Sequence, residues 1–241
     1  MLTELLKLKR RPIFLYALLS SGLPPLINWI YTLNLPANSP INRTFREFGE
    51  YSFAFTEWMF LPCLLGLLGS ILFFSERENG TLKELMIVPV DRAQFLLSKF
   101  TILLLFSVLF MASTAFFTAT AAWAVGYAGI TARSVGDLLG IYVAAGLLIG
   151  IAMLPVLCVV VIAKREYILS ICATLIYSIS GIIFSSYAVG IHPLASVAAL
   201  ISSAGGANPN ADPAMCLLNL SVVSLCSIGA SLYAFQRQNI P

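Results

Sequence analysis

Residues able to do chemistry are few in this chain, and one stretch is unusually dense in them. Among 241 residues there are 14 Lys and Arg, 11 Asp and Glu, and one His. That single histidine, His192, cannot build a zinc site or a histidine-dependent triad; beside Pro193 it reads as a structural turn residue. The five cysteines (Cys63, Cys158, Cys172, Cys216 and Cys226) form no C-x-x-C pair and lie in apolar surroundings. They read as small packing residues rather than as disulfides or metal ligands. No G-x-x-x-x-G-K-[ST] phosphate loop is present, so the sequence shows no means of hydrolysing ATP alone. Glu57 and Asp137 border apolar runs and read as solvated helix ends. Ser75–Lys99, SERENGTLKELMIVPVDRAQFLLSK, is dense in charge where much of the chain is poor in it. A run of this kind offers recognition of another protein, not catalysis.

That run has its own local logic. Asn79-Gly80 is a turn signal, since Gly80 adopts backbone angles that other residues resist. Thr81 can cap a helix from Leu82, with Glu84 at the position a capping box requires. Pro89 ends that helix, and Asp91 can cap a second one running through Gln94 and Leu97. The result is a helix-turn-helix elbow carrying Glu76, Arg77, Glu78, Lys83 and Glu84. Leu82, Leu85, Met86 and Ile87 are interleaved with these charges in a pattern suited to docking. A plain solvated connector would need none of this.

The elements that hold the elbow are membrane spans. The chain is 59% hydrophobic and 10% charged, with mean hydropathy +0.90. Soluble domains average about a quarter charged residues. This excludes an ordinary soluble enzyme, a disordered regulator and a nucleic-acid binder. Uncharged runs long enough to cross a bilayer occur at Phe14–Leu33, Trp58–Phe74, Thr101–Val125, Leu138–Ala163, Tyr167–Tyr187 and Cys216–Phe235. These must be helices, because backbone groups in lipid need partners within their own segment. The predicted class is therefore all-α: a single polytopic membrane domain, 1–241, with six transmembrane helices.

Charge sets the orientation. The side with the termini, the elbow and the turn at Lys164-Arg165-Glu166 holds 11 basic residues, and the other side holds Arg43, Arg46 and Arg133. Both termini are thus expected in the cytoplasm, and the protein in a bacterial cytoplasmic membrane. Residues 1–12 read as an interfacial amphipathic helix, with Leu2, Leu5 and Leu6 on one face and basic residues at its end. Ala188–Ile201 is apolar but too short to cross, which suits a re-entrant segment before the last span.

Uncharged polar residues occur inside the spans. Ser107, Ser113, Thr114, Thr118 and Thr120 suit interhelical hydrogen bonds. Asn28, Trp58, Ser178 and Ser180 are taken as candidates for a substrate path. Gly146 and Gly150 form a G-x-x-x-G that permits close helix approach and could mark a dimer face. Pro24-Pro25 and Pro155 predict breaks in spans one and four. The spans show no interior charge, which argues against a proton- or sodium-driven carrier.

The segment ERENGTLKELMIVPVDR, followed by a helix ending in Lys99, resembles the element after the second span in ABC type-2 permeases. The resemblance extends to the basic amphipathic start, the six spans, the shared side of both termini and the apolar stretch before span six. In size the chain is most similar to the small bacterial permeases of lantibiotic and bacitracin self-immunity. The haem-exporter membrane subunit of cytochrome c maturation is a similar alternative, and a non-transporting scaffold another. The resemblance implies two copies of a separate ABC ATPase subunit, which bind ATP and Mg; this chain needs no cofactor. It implies docking through Glu76, Arg77, Glu78, Asn79, Gly80, Thr81, Lys83, Glu84, Lys164, Arg165 and Glu166. It further implies a second permease chain, identical or paralogous, and an amphipathic or lipid-like substrate crossing between the two; nucleic acid is no partner.

Overall fold

The structure, a computed structural model, describes residues 12–35, 44–78, 92–163, 167–187, 190–204 and 212–237. Six helices among these are long and apolar enough to cross a membrane: Ile13–Leu33, Phe45–Phe74, Ala93–Val125, Ala132–Ile162, Tyr167–Ser186 and Pro213–Arg237. They are spans one to six below. The interfacial-helix expectation for 1–12 falls outside the described residues, save for Pro12 at the start of the first helix. Asn79, Gly80, Thr81, Lys83, Glu84, Lys164, Arg165 and Glu166 also lie outside them, as do the side chains of Glu76, Arg77 and Glu78.

Each proline inside a span leaves a local mark. Pro24 and Pro25 have no N–H to donate, and the preceding turn, Ser20–Gly22, tightens into a 3-10 helix. Pro155 lacks the donor that Ile151 would receive, and span four breaks at Met153 between Ala132–Ala152 and Leu154–Ile162. Tyr177 of span five donates its hydroxyl to the Ala152 carbonyl at that break, 2.6 Å away.

Span two differs most from its sequence expectation. It begins at Phe45, not Trp58, capped by the Thr44 side chain, which accepts from the Glu47 N–H. The helix then continues to Glu78 through a π turn at Thr56–Phe60. Pro62 accounts for the π turn: it cannot donate to the Trp58 carbonyl, and its ring crowds that oxygen, so the helix widens. The Leu61 N–H reaches back to the Thr56 carbonyl instead. Residues 75–78 thus extend span two, and the helix of span three starts at Arg92. The elbow as predicted, 75–99, therefore includes the ends of both flanking helices.

Contacts at the two ends show alternate crossing. At one end, Phe45 donates its N–H to the Ala128 carbonyl at 3.4 Å, joining the connections before span two and after span three. At the other, Phe74 meets Tyr167 edge-on at 4.8 Å and Phe95 stacks on Phe235 at 5.8 Å. These are called the Thr44 end and the Lys99 end.

Spans two, three and four form the core, being 61%, 50% and 67% buried against 22% for spans one, five and six. Spans three and four pack backbone to backbone. An added Cβ on Gly146 would lie 2.9 Å from the Ser107 carbonyl oxygen, and one on Gly150 3.5 Å from Leu104 Cα. The G-x-x-x-G is thus consumed inside the chain rather than presented as a dimer face, a correction to the sequence expectation. Ser107 seals the seam, donating to the Gly146 carbonyl at 2.6 Å. Thr114 and Thr120 differ from expectation too: they bond carbonyls of their own helix, at Phe110 and Phe117.

Between spans five and six stands a 12-residue helix, Pro193–Ala204. It packs against spans four, five and six. Its first turn is buried at Leu194, Ala195, Ser196 and Val197. Gly190, with φ +102°, makes the turn that leads into it.

Candidate functional site

The interior polar groups assemble into one seam around the π turn of span two. Span one contributes Asn28, fully buried, whose Nδ2 donates to the Phe48 carbonyl and to Ser52 Oγ, both at 3.0 Å. Thr56 closes back on the Ser52 carbonyl at 2.7 Å. The Trp58 carbonyl, which Pro62 leaves without its helical donor, accepts from the hydroxyl of Ser178 on span five. Two residues further, Ser180 Oγ lies 3.1 Å from His192 Nε2. The seam ends where Asn219 of span six donates to Ser196 Oγ at 2.9 Å. Buried amides and hydroxyls need partners, and this arrangement supplies them across five helices.

Of the four path candidates, Trp58, Ser178 and Ser180 therefore come together. Gly181 lets them do so: a Cβ there would sit 3.1 Å from both the His192 ring and the Trp58 ring. Asn28 is engaged in joining span one to the first half of span two.

His192 is more than a turn residue. It is buried, centred 4.5 Å from the Tyr177 ring and stacked 6.0 Å from Phe184. Its Nδ1 is enclosed without a hydrogen-bond partner. Burial holds the imidazole below its ordinary range, which favours the neutral ring.

Two charged residues overturn the expectation of uncharged span interiors. Glu57, read as a solvated helix end, is 2% exposed and lies within span two, with Oε1 lacking any hydrogen-bond partner. Lys99, read as the end of the elbow, is fully buried in span three. Its Nζ donates to the Leu72 carbonyl at 2.7 Å and stands over the rings of Phe95 and Phe73, at 4.8 and 5.4 Å. Asp137 remains exposed, as expected.

The sequence carried a signal for the π turn that went unread: Pro62 stands four residues after Trp58, inside an apolar run. Glu57 was missed because a charge was taken as the end of a span. Nothing in the seam resembles a catalytic centre. No group of three His, Cys, Asp or Glu that could hold a metal ion occurs among the described residues, and all five cysteines are free.

Comparison with known proteins places this architecture. Among curated proteins none matches the chain. A family model described as ABC-2 family transporter protein matches residues 1–181, which takes in spans one to four and most of span five. The chain belongs to the ABC-2 transporter family, as a membrane-embedded permease component.

Proposed function

We propose that this chain is the permease of an ATP-driven exporter and that it expels an amphipathic substrate, such as an antibiotic peptide, from the membrane of the cell that makes or meets it. The observation that carries the reading is the family match over a six-span body whose sequence has no phosphate-binding loop. Energy then comes from a separate ATP-binding subunit, in two copies. That subunit docks under Glu76–Glu84 and the Lys164-Arg165-Glu166 turn, with Glu76, Glu78, Gly80 and Thr81 as principal contacts. The Lys99 end is the cytoplasmic one in this reading, which the positive-inside bias of the sequence supports.

Two permease chains form the path between them, lined by spans one, two and five. The exposure of Leu15, Tyr16 and Leu19 on span one, and of Ile168, Ile176 and Ile183 on span five, supports a partner or lipid against those helices. Closure of the ATPase shifts the balance between inward- and outward-facing forms, and the substrate must bind the two differently to be moved.

The test is purification of the chain from its native membrane in mild detergent. A stoichiometric partner with a phosphate-loop lysine, hydrolysing ATP faster when cationic antibiotic peptides are added, is the expected result. A chain recovered alone, with no ATP hydrolysis, would sink the reading.

A further inference from the structure

Glu57 stands apart from the other polar groups of the seam. Asn28, Ser52, Thr56, Ser178, Ser180 and Asn219 all have hydrogen-bond partners. Glu57 is buried among them, yet its Oε1 has none. Register brings a second orphan to the same level. Ser21 lies two helical turns along span one from Asn28, which pairs with Phe48 and Ser52, so it reaches the depth of the π turn. Its hydroxyl is also buried without a partner.

The π turn packs against the two flanking helices of span two and against span five, with His192 adjoining; one turn before Glu57, Phe53 meets Tyr142 of span four, whose hydroxyl is committed to the Gly49 carbonyl. Their titratable groups give Glu57 no countercharge. Glu50 is exposed and paired with Arg46 at 2.9 Å. Tyr177 is committed to the Ala152 carbonyl and His192 to Ser180. Tyr51, Cys63 and Cys172 bring no positive charge. A bare carboxylate in such surroundings is strongly unfavourable, so the group is neutral unless a cation reaches it. A carboxyl kept in that state can exchange its proton for a positively charged group.

We propose that the Glu57 carboxyl is a cation-binding site inside the six-span body. Closed, it holds a proton. When the ammonium or guanidinium group of an amphipathic substrate reaches it, the proton leaves to water and the organic cation takes its place. The site rests on the permease reading given above and names the substrate chemistry that reading leaves open.

The experiment uses the purified chain in lipid nanodiscs, with dodecyltrimethylammonium as the cationic probe and dodecyl maltoside as its neutral counterpart. Calorimetry in two buffers of different ionisation enthalpy reads affinity and proton release together. Wild type should bind the cation about tenfold more tightly than Glu57→Gln, with release of about one proton. The neutral probe should bind both alike. Equal affinity of the cation for both proteins, or binding without proton release, overturns the proposal.

Infrared spectra of the wild type should also show a protonated-carboxyl stretch that Glu57→Gln lacks; if the wild type lacks it, the proposal fails. Glu57→Asp keeps the charge on a shorter arm and should bind with intermediate affinity. It preserves the comparison should the Gln variant not fold. None of these readouts needs the ATPase, so their failure leaves the permease reading standing. Absence of an ATPase partner strikes that reading and leaves these readouts untouched.

Discussion

Lys99 Nζ lies 2.7 Å from the carbonyl oxygen of Leu72, so a fully buried cation of span three is tied to the backbone of span two. The tie sits just inside the connection that carries the elbow sequence, with the rings of Phe73 and Phe95 around it. A charge-assisted hydrogen bond contributes about 1.5–3 kcal/mol, and a desolvated cation–π contact about 2 kcal/mol. Lys99→Ala should therefore lower stability by roughly 2–4 kcal/mol. Lys99→Met keeps the packing volume without burying a charge and should cost less. Thermal unfolding in detergent orders the three proteins; a Met variant less stable than the Ala variant would refute the account.

Spans three and four give a paired prediction with an internal control. Gly146→Ala puts a Cβ 2.9 Å from a backbone oxygen that cannot yield, so overpacking should cost about 1–3 kcal/mol. Gly140→Ala, in the same helix, meets nothing within 4 Å. It should be neutral or stabilising by up to about 1 kcal/mol from helix propensity. The unfolding midpoint should fall below the wild type for Gly146→Ala and at or above it for Gly140→Ala.

Acid should loosen the short helix before it loosens the spans. Burial lowers the His192 pKa in the folded protein, while in the unfolded chain it is about 6.5. The unfolded state then binds more protons, so the contribution is intact above that value and is lost as pH falls below it. Wild type should lose more stability than His192→Gln between mildly alkaline and mildly acidic buffer. Equal losses would mean that the ring is not held neutral.

The elbow yields a prediction about assembly. Replacing both Glu76 and Glu78 with Lys should weaken ATPase binding roughly tenfold, because rim charges of this kind steer and discriminate partners. Membrane insertion should be unchanged, since the apolar spans are untouched. Undiminished co-purification of the ATPase would remove these residues from the docking surface.

The spans were legible because a bilayer imposes length and apolarity directly on the sequence. The breaks at Pro24-Pro25 and Pro155 were legible too, since a missing N–H acts locally. Glu57 and Lys99 were not. A run that stops at the first charge cannot register that neighbouring helices enclose it, and enclosure is a tertiary fact. The use of Gly146 was half legible. Close approach follows from the residue itself; the identity of the approaching helix does not. Trp58, Ser178 and Ser180 were grouped as polar or amphipathic positions, but their meeting depends on Pro62 freeing a carbonyl and on Gly181 leaving room.

The π turn also changes what kind of object span two is. One extra residue in a helical turn offsets everything after it by about 100° of rotation. Before the turn, Gly49 and Phe53 address Tyr142 of span four, through the Tyr142 hydroxyl and an edge-on ring contact. After it, Gly66 lies against Thr174 of span five. Span two is in effect two helices spliced out of phase, both packed on spans three and four, with the second half also packed along span five. Its length is then a phase setting: deleting Met59 alone would turn one half by about 100° away from the packing it was cut to fit.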